Sequence, residues 1–166
     1  MIKEILQGRF LRHPLHPMLV HMPVALWPLS LVSDIISMSS GDPFFARASF
    51  YMIGIGIAIA LLAAVTGAAE LIDVPRRTLA MRIGLTHGVL NLLIAGLYLL
   101  NFFARGDLST GSDGVVTSTD LILNVISVGL LMVSGYLGGL LVYEHGVGLR
   151  TEEAPSKLDG KLKKVA

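Results

Sequence analysis

Five histidines, His13, His16, His21, His87 and His145, are the side chains of this 166-residue chain best suited to chemistry. A neutral imidazole ligates haem iron and borderline metals through one ring nitrogen, and it carries protons near neutral pH. Three of the five crowd into Arg12-His13-Pro14-Leu15-His16-Pro17-Met18-Leu19-Val20-His21-Met22-Pro23. The other two stand far along the chain, His87 flanked by Gly84 and Gly88, and His145 after Glu144. They can share a site only if the fold brings distant segments to one place.

Four apolar stretches do this. Residues 17–38, 48–69, 83–104 and 121–143 each have the length and composition of a bilayer-spanning helix, which needs roughly 20 mostly apolar residues. Charged residues make up only 15% of the chain and mean hydropathy is +0.70, well outside the range of soluble domains, in which about a quarter of residues are charged. The expected fold is all-α: an integral membrane four-helix bundle in up-down order, with residues 1–150 as one domain and 151–166 as a polar tail. The N-terminal segment carries charges throughout and has no small-residue cleavage site, so it does not read as a secretory signal.

Lysine and arginine orient the bundle. Of the 13 in the chain, only Arg47 and Arg105 fall on one side of the spans. Lys3, Arg9, Arg12, Arg76, Arg77, Arg82, Arg150 and the tail lysines fall on the other. The positive-inside rule then places both termini in the cytoplasm, in a multi-pass protein of a bacterial inner membrane. Threading the spans back and forth puts all five histidines at that cytoplasmic end.

At this end each proline biases the preceding residue away from the α region, so His13 and His16 are expected on an extended approach and Pro17 in the first helical turn. His21 and His87 lie deepest, on the first and third spans, and are the best pair for a cofactor; His16 and His145 can serve a second, shallower site. Gly84 and Gly88 allow close approach of a neighbouring helix, the default reading, or leave room for a flat macrocycle. Glu70 and Asp73 end the second span and Glu144 ends the fourth. These carboxylates are metal ligands, partners that orient imidazole, or ion-pair partners of nearby arginines. Asp34 stands apart, near the other end of the first span. A carboxylate inside a span is a functional candidate by default, although it can also reach interfacial water or Asn101 and Asn124 across the bundle.

There are no cysteines, which excludes disulfides and a cysteine-held iron–sulfur cluster on this chain. GxSxG, Walker-loop and HExxH patterns are absent, no catalytic residue can be assigned, and no nucleic-acid role follows from the charges.

The opening His13 to Pro23, Asp34, and the closing Gly138-Gly139-Leu140-Leu141-Val142-Tyr143-Glu144-His145-Gly146-Val147-Gly148 together resemble the bacterial family called domain of unknown function 2231, over nearly all of the chain up to Leu149. The resemblance implies a four-span membrane protein. Because some members are fused to, or occur beside, Rieske iron–sulfur modules, it also implies a redox setting, in which any such module must here be a separate chain.

Three readings follow. The first is a redox protein, or a subunit of a respiratory or photosynthetic electron-transfer complex, with b-type haem held by His21 and His87 and a further role for His16 and His145. The second is a transition-metal site built from His16, His21, His87 and Glu70 or Asp73. The third is a non-catalytic structural subunit, in which the histidines serve protons, lipid headgroups or a neighbouring chain. A homo-oligomer or a place in a larger complex fits all three.

Overall fold

The computed structural model describes residues 2–8, 13–106 and 115–148. The tail at 151–166, Arg9, Arg12 and Arg150 lie outside the described residues. A short helix α1, Ile2–Leu6, precedes four long ones: α2, Leu15–Ser40; α3, Pro43–Leu71; α4, Leu79–Ala104; and α5, Ser118–Tyr143. All four long helices have the length and apolarity to cross a membrane.

Each long helix starts earlier than its apolar stretch, and in α3, α4 and α5 this is because the start signals are polar and lie outside the hydrocarbon. Asp42 caps α3 by accepting from the Phe44 N–H at 2.9 Å, with Pro43 in the first turn. Thr78 caps α4 through the Met81 N–H. Thr117 and Asp120 form a reciprocal capping box on α5. Helix α2 ends at Gly41, whose φ of 70° is the left-handed conformation that closes a helix and suits glycine. One expectation fails at the start of α2. His16 is not on an extended approach but already helical, because the extended residue is Pro14 (ψ 127°) and Pro17 then falls in the first turn, where no N–H is needed.

The helices pack in sequence order, α2 on α3, α3 on α4, α4 on α5, with α5 closing back on α2. Their outer faces are apolar: Leu61, Leu62, Leu92, Leu93, Met132 and Val133 are each more than half exposed. Soluble monomers rarely expose apolar surface of this extent, and on four membrane-length helices it suits a lipid environment. Inside, Trp27, Ile53, Ile57, Ile94, Tyr98 and Leu131 form a central apolar layer, with Trp27 stacked on Tyr98 at 4.3 Å. Polar side chains occupy the interior on both sides of this layer.

Candidate functional site

At the end of the bundle where α2 and α4 begin, three imidazoles are tied to backbone carbonyls. His16 Nδ1 lies 2.8 Å from the Ala63 carbonyl of α3. His87 Nδ1 lies 3.0 Å from the Ser134 carbonyl of α5. His21 Nδ1 lies 2.5 Å from the Pro17 carbonyl of its own helix. A carbonyl only accepts, so Nδ1 carries the proton in each neutral ring and Nε2 keeps its lone pair.

His16 and His87 are brought together. Their ring centroids are 6.4 Å apart with the planes nearly perpendicular. Each ring rests where a glycine leaves space. A Cβ added at Gly67 would come within 2.8 Å of the His16 ring, and one at Gly138 within 3.2 Å of the His87 ring. The Asn91 amide reaches His87 Nε2 at 3.1 Å and the Ser134 hydroxyl at 2.8 Å, so α4 and α5 hold the His87 ring from two sides. Gly84 packs against Leu71 of α3, whereas Gly88 faces open space.

His21 is not part of this pair. It is exposed and its ring is held by its own helix. Five residues on a helix of 3.6 residues per turn correspond to about 140°, so His16 turned inward forces His21 outward. The inward imidazole nearest His87 is therefore His16.

The other candidates ring the mouth of the bundle. His13, Glu70, Asp73 and His145 line one cavity of 490 Å³ beyond the His16–His87 pair. Asp73 pairs with Lys3 of α1 and accepts from Gln7 Nε2, in the turn after α1, at 2.6 Å. Glu70 Oε1 and His145 Nε2 are buried and have no hydrogen-bond partner among the described residues. Glu144 is exposed at the end of α5. Among the described residues no three His, Asp or Glu side chains converge as a metal-ligand set.

Asp34 belongs to a second polar centre at the opposite end. It is fully buried and receives both Arg105 guanidinium N–H groups, at 2.8 Å on Oδ1 and 2.6 Å on Oδ2, and the Asn124 amide at 2.7 Å. Arg105 also donates to Asn101 at 2.7 Å and to Ser49 at 3.2 Å. Asn124 in turn accepts from Tyr98 at 3.0 Å and donates to Ser30. This network joins α2, α3, α4 and α5 and leaves the carboxylate fully engaged.

A family model described as a predicted membrane protein, DUF2231, matches residues 12–151. The chain belongs to the DUF2231 family. No curated protein and no solved structure matches it. The match spans both polar centres, from the His13–His21 segment through Asp34 and Arg105 to His145, and with the apolar faces it makes this a multi-pass membrane protein of the DUF2231 family.

Several residues of these centres escape a reading of the sequence. Asn91, Tyr98 and Arg105 share one face of α4 with His87, and Ser127 and Ser134 share one face of α5 with Asp120 and Asn124. The signal is there: 87, 91, 94, 98, 101 and 105, and 120, 124, 127, 131 and 134, are spacings of three and four that keep polar groups on one inward stripe of an otherwise apolar helix.

Proposed function

We propose that this DUF2231 protein is a membrane redox protein, or the membrane subunit of an electron-transfer complex, and that it holds b-type haem through His16 and His87. The observation that carries this reading is the matched state of the two rings, each giving its Nδ1–H to the carbonyl of a neighbouring helix. Imidazoles that ligate metals almost always donate their other N–H in this way, which fixes the tautomer and points the Nε2 lone pair at the metal; at His87 the Asn91 amide now on Nε2 would give way to the iron and keep its bonds to the His87 carbonyl and the Ser134 hydroxyl. The number of ligands favours haem over a bare ion. Two imidazoles fall short of the four donors that an isolated ion such as zinc takes, but haem iron needs only its axial positions from the protein. Gly67 and Gly138 fit the ligands, since they let both rings lie against the helix backbones. Bound there, haem would supply one-electron exchange. The chain's own part is to orient the two rings, through the Ala63 and Ser134 carbonyls, and to keep water away with the apolar layer beneath them.

The charge bias of the sequence supports a cytoplasmic position for this end and for both termini, in a bacterial inner membrane. A Rieske-type protein on a separate chain is the partner class that the family resemblance favours.

An absorption spectrum of the protein purified in mild detergent tests the proposal. A Soret band, with α and β bands that sharpen on reduction, supports it. A colourless preparation with stoichiometric metal overturns haem in favour of a His/carboxylate ion site. A colourless, metal-free protein that is stable only beside other chains makes it a structural subunit.

A further inference from the structure

The cavity beyond the histidine pair is built from five segments. Helix α1 and its following turn bring Gln7, the approach to α2 brings His13, the end of α3 brings Glu70, the start of α4 brings Ala80, and the turn after α5 brings His145 and Gly148. Its 490 Å³ lies within the roughly 300–1,000 Å³ of small-molecule sites. Close backbone approaches shape its walls. Gly8 has a φ of +67°, and a Cβ there would come within 2.1 Å of the His13 carbonyl. Gly148 has a φ of +79°, and a Cβ there would sit 3.5 Å from the Glu70 carboxylate.

Among the described residues, three polar atoms in this wall are buried without a hydrogen-bond partner: Gln7 Oε1, Glu70 Oε1 and His145 Nε2. Two of them can only accept when Glu70 is ionised, and the imidazole nitrogen accepts in one of its tautomers. Nearby Lys3 is engaged by Asp73. Gln7 cannot turn its amide nitrogen toward Glu70 without giving up its bonds to the Ala69 carbonyl and Asp73. A buried carboxylate oxygen beside two further acceptors calls for a ligand that brings hydrogen-bond donors and positive charge.

We infer that this cavity binds a small organic ammonium compound, its N–H groups donating to Glu70, Gln7 and His145. The site rests on the cavity and its unpartnered acceptors, and it stands whether or not His16 and His87 hold haem.

The test uses the full chain in detergent micelles, with 1,4-diaminobutane as the probe and butane-1,4-diol and succinate as length-matched neutral and anionic controls. Isothermal titration should show saturable binding of the diamine and none of either control. Glu70→Gln should weaken diamine binding at least tenfold while helix content by circular dichroism is unchanged. Ala80→Phe, which fills the cavity and leaves the acceptors in place, should abolish binding, so the result does not depend on one variant. Haem absorbance, if present, should be untouched by Glu70→Gln, which separates this site from the histidine pair. Equal binding of the diol, unaltered affinity in both variants, or no saturable binding of the diamine overturns the inference.

Discussion

Asp34 and Arg105 are 71 residues apart in sequence, yet they form a two-point ion pair inside the bundle, with the carboxylate side chain 0% and the guanidinium 1% exposed. The planar fork of arginine matches both carboxylate oxygens, Asn101 and Ser49 accept two further guanidinium N–H groups, and Asn124 donates a third bond to the carboxylate. Such a pair holds its geometry because removing either partner leaves a bare charge in an apolar interior.

Arg105→Met should therefore destabilise the protein strongly, by about 3–5 kcal/mol, the range for breaking one side of a buried ion pair. Asp34→Asn combined with Arg105→Met should cost clearly less than the two single changes added together. Equilibrium unfolding of the four proteins in mixed micelles gives the coupling directly. Additive losses would mean that the two side chains do not depend on each other.

Gly56→Ala should disturb the middle of the bundle, because its Cβ would come 2.3 Å from Trp27 Nε1. Overpacking of this kind costs about 1–3 kcal/mol. Trp27 is the single tryptophan of the chain, so its emission maximum should shift together with a lowered unfolding midpoint. Gly96→Ala, with nothing within 4 Å of its Cβ, should leave both unchanged.

If haem is bound as proposed, His16→Ala and His87→Ala should each abolish or shift the Soret band, and His21→Ala should leave it in place. Loss of the band in His21→Ala alone would move the ligand set to the outer face of α2 and to a second copy of the chain.

Reporter fusions after Arg105 and after Arg150 should report opposite sides of the membrane, with the Arg150 fusion cytoplasmic. Finding both on the same side would exclude the proposed topology.

The spans and their packing order were legible in the sequence because length and apolarity alone dictate a membrane helix, and short connections make neighbours antiparallel. The end at which the histidines gather followed from the same threading. Which rings meet did not follow from depth, which favoured His21 over His16; the helical angle between the two is what turns His16 inward and His21 outward. Arg105 was the harder case. It follows Ala104 at the end of α4 and leads into a loop rich in glycine and serine, so it reads as a solvated charge. Nothing local distinguishes a guanidinium reaching out to water from one folded back toward Asp34; only the facing positions of Asn101, Ser49 and Asn124 decide it. The link from Asp34 to Asn124, by contrast, was visible as two polar residues at matching depth on different spans.

The layer of Trp27, Ile53, Ile57, Ile94 and Leu131 also separates two compartments of chemistry. On one side the hydrogen-bonded chain from Asp34 through Asn124 stops at Tyr98 and Ser30; on the other, the chain from His87 stops at Asn91 and Ser134. Among the described residues no polar side chain bridges the two with a hydrogen bond across that layer. The bundle thus acts as an insulator along its own axis. A proton taken up by the His16–His87 centre has no hydrogen-bonded route through this layer to Asp34, so the two polar centres titrate and exchange with water independently, each from its own end of the bundle.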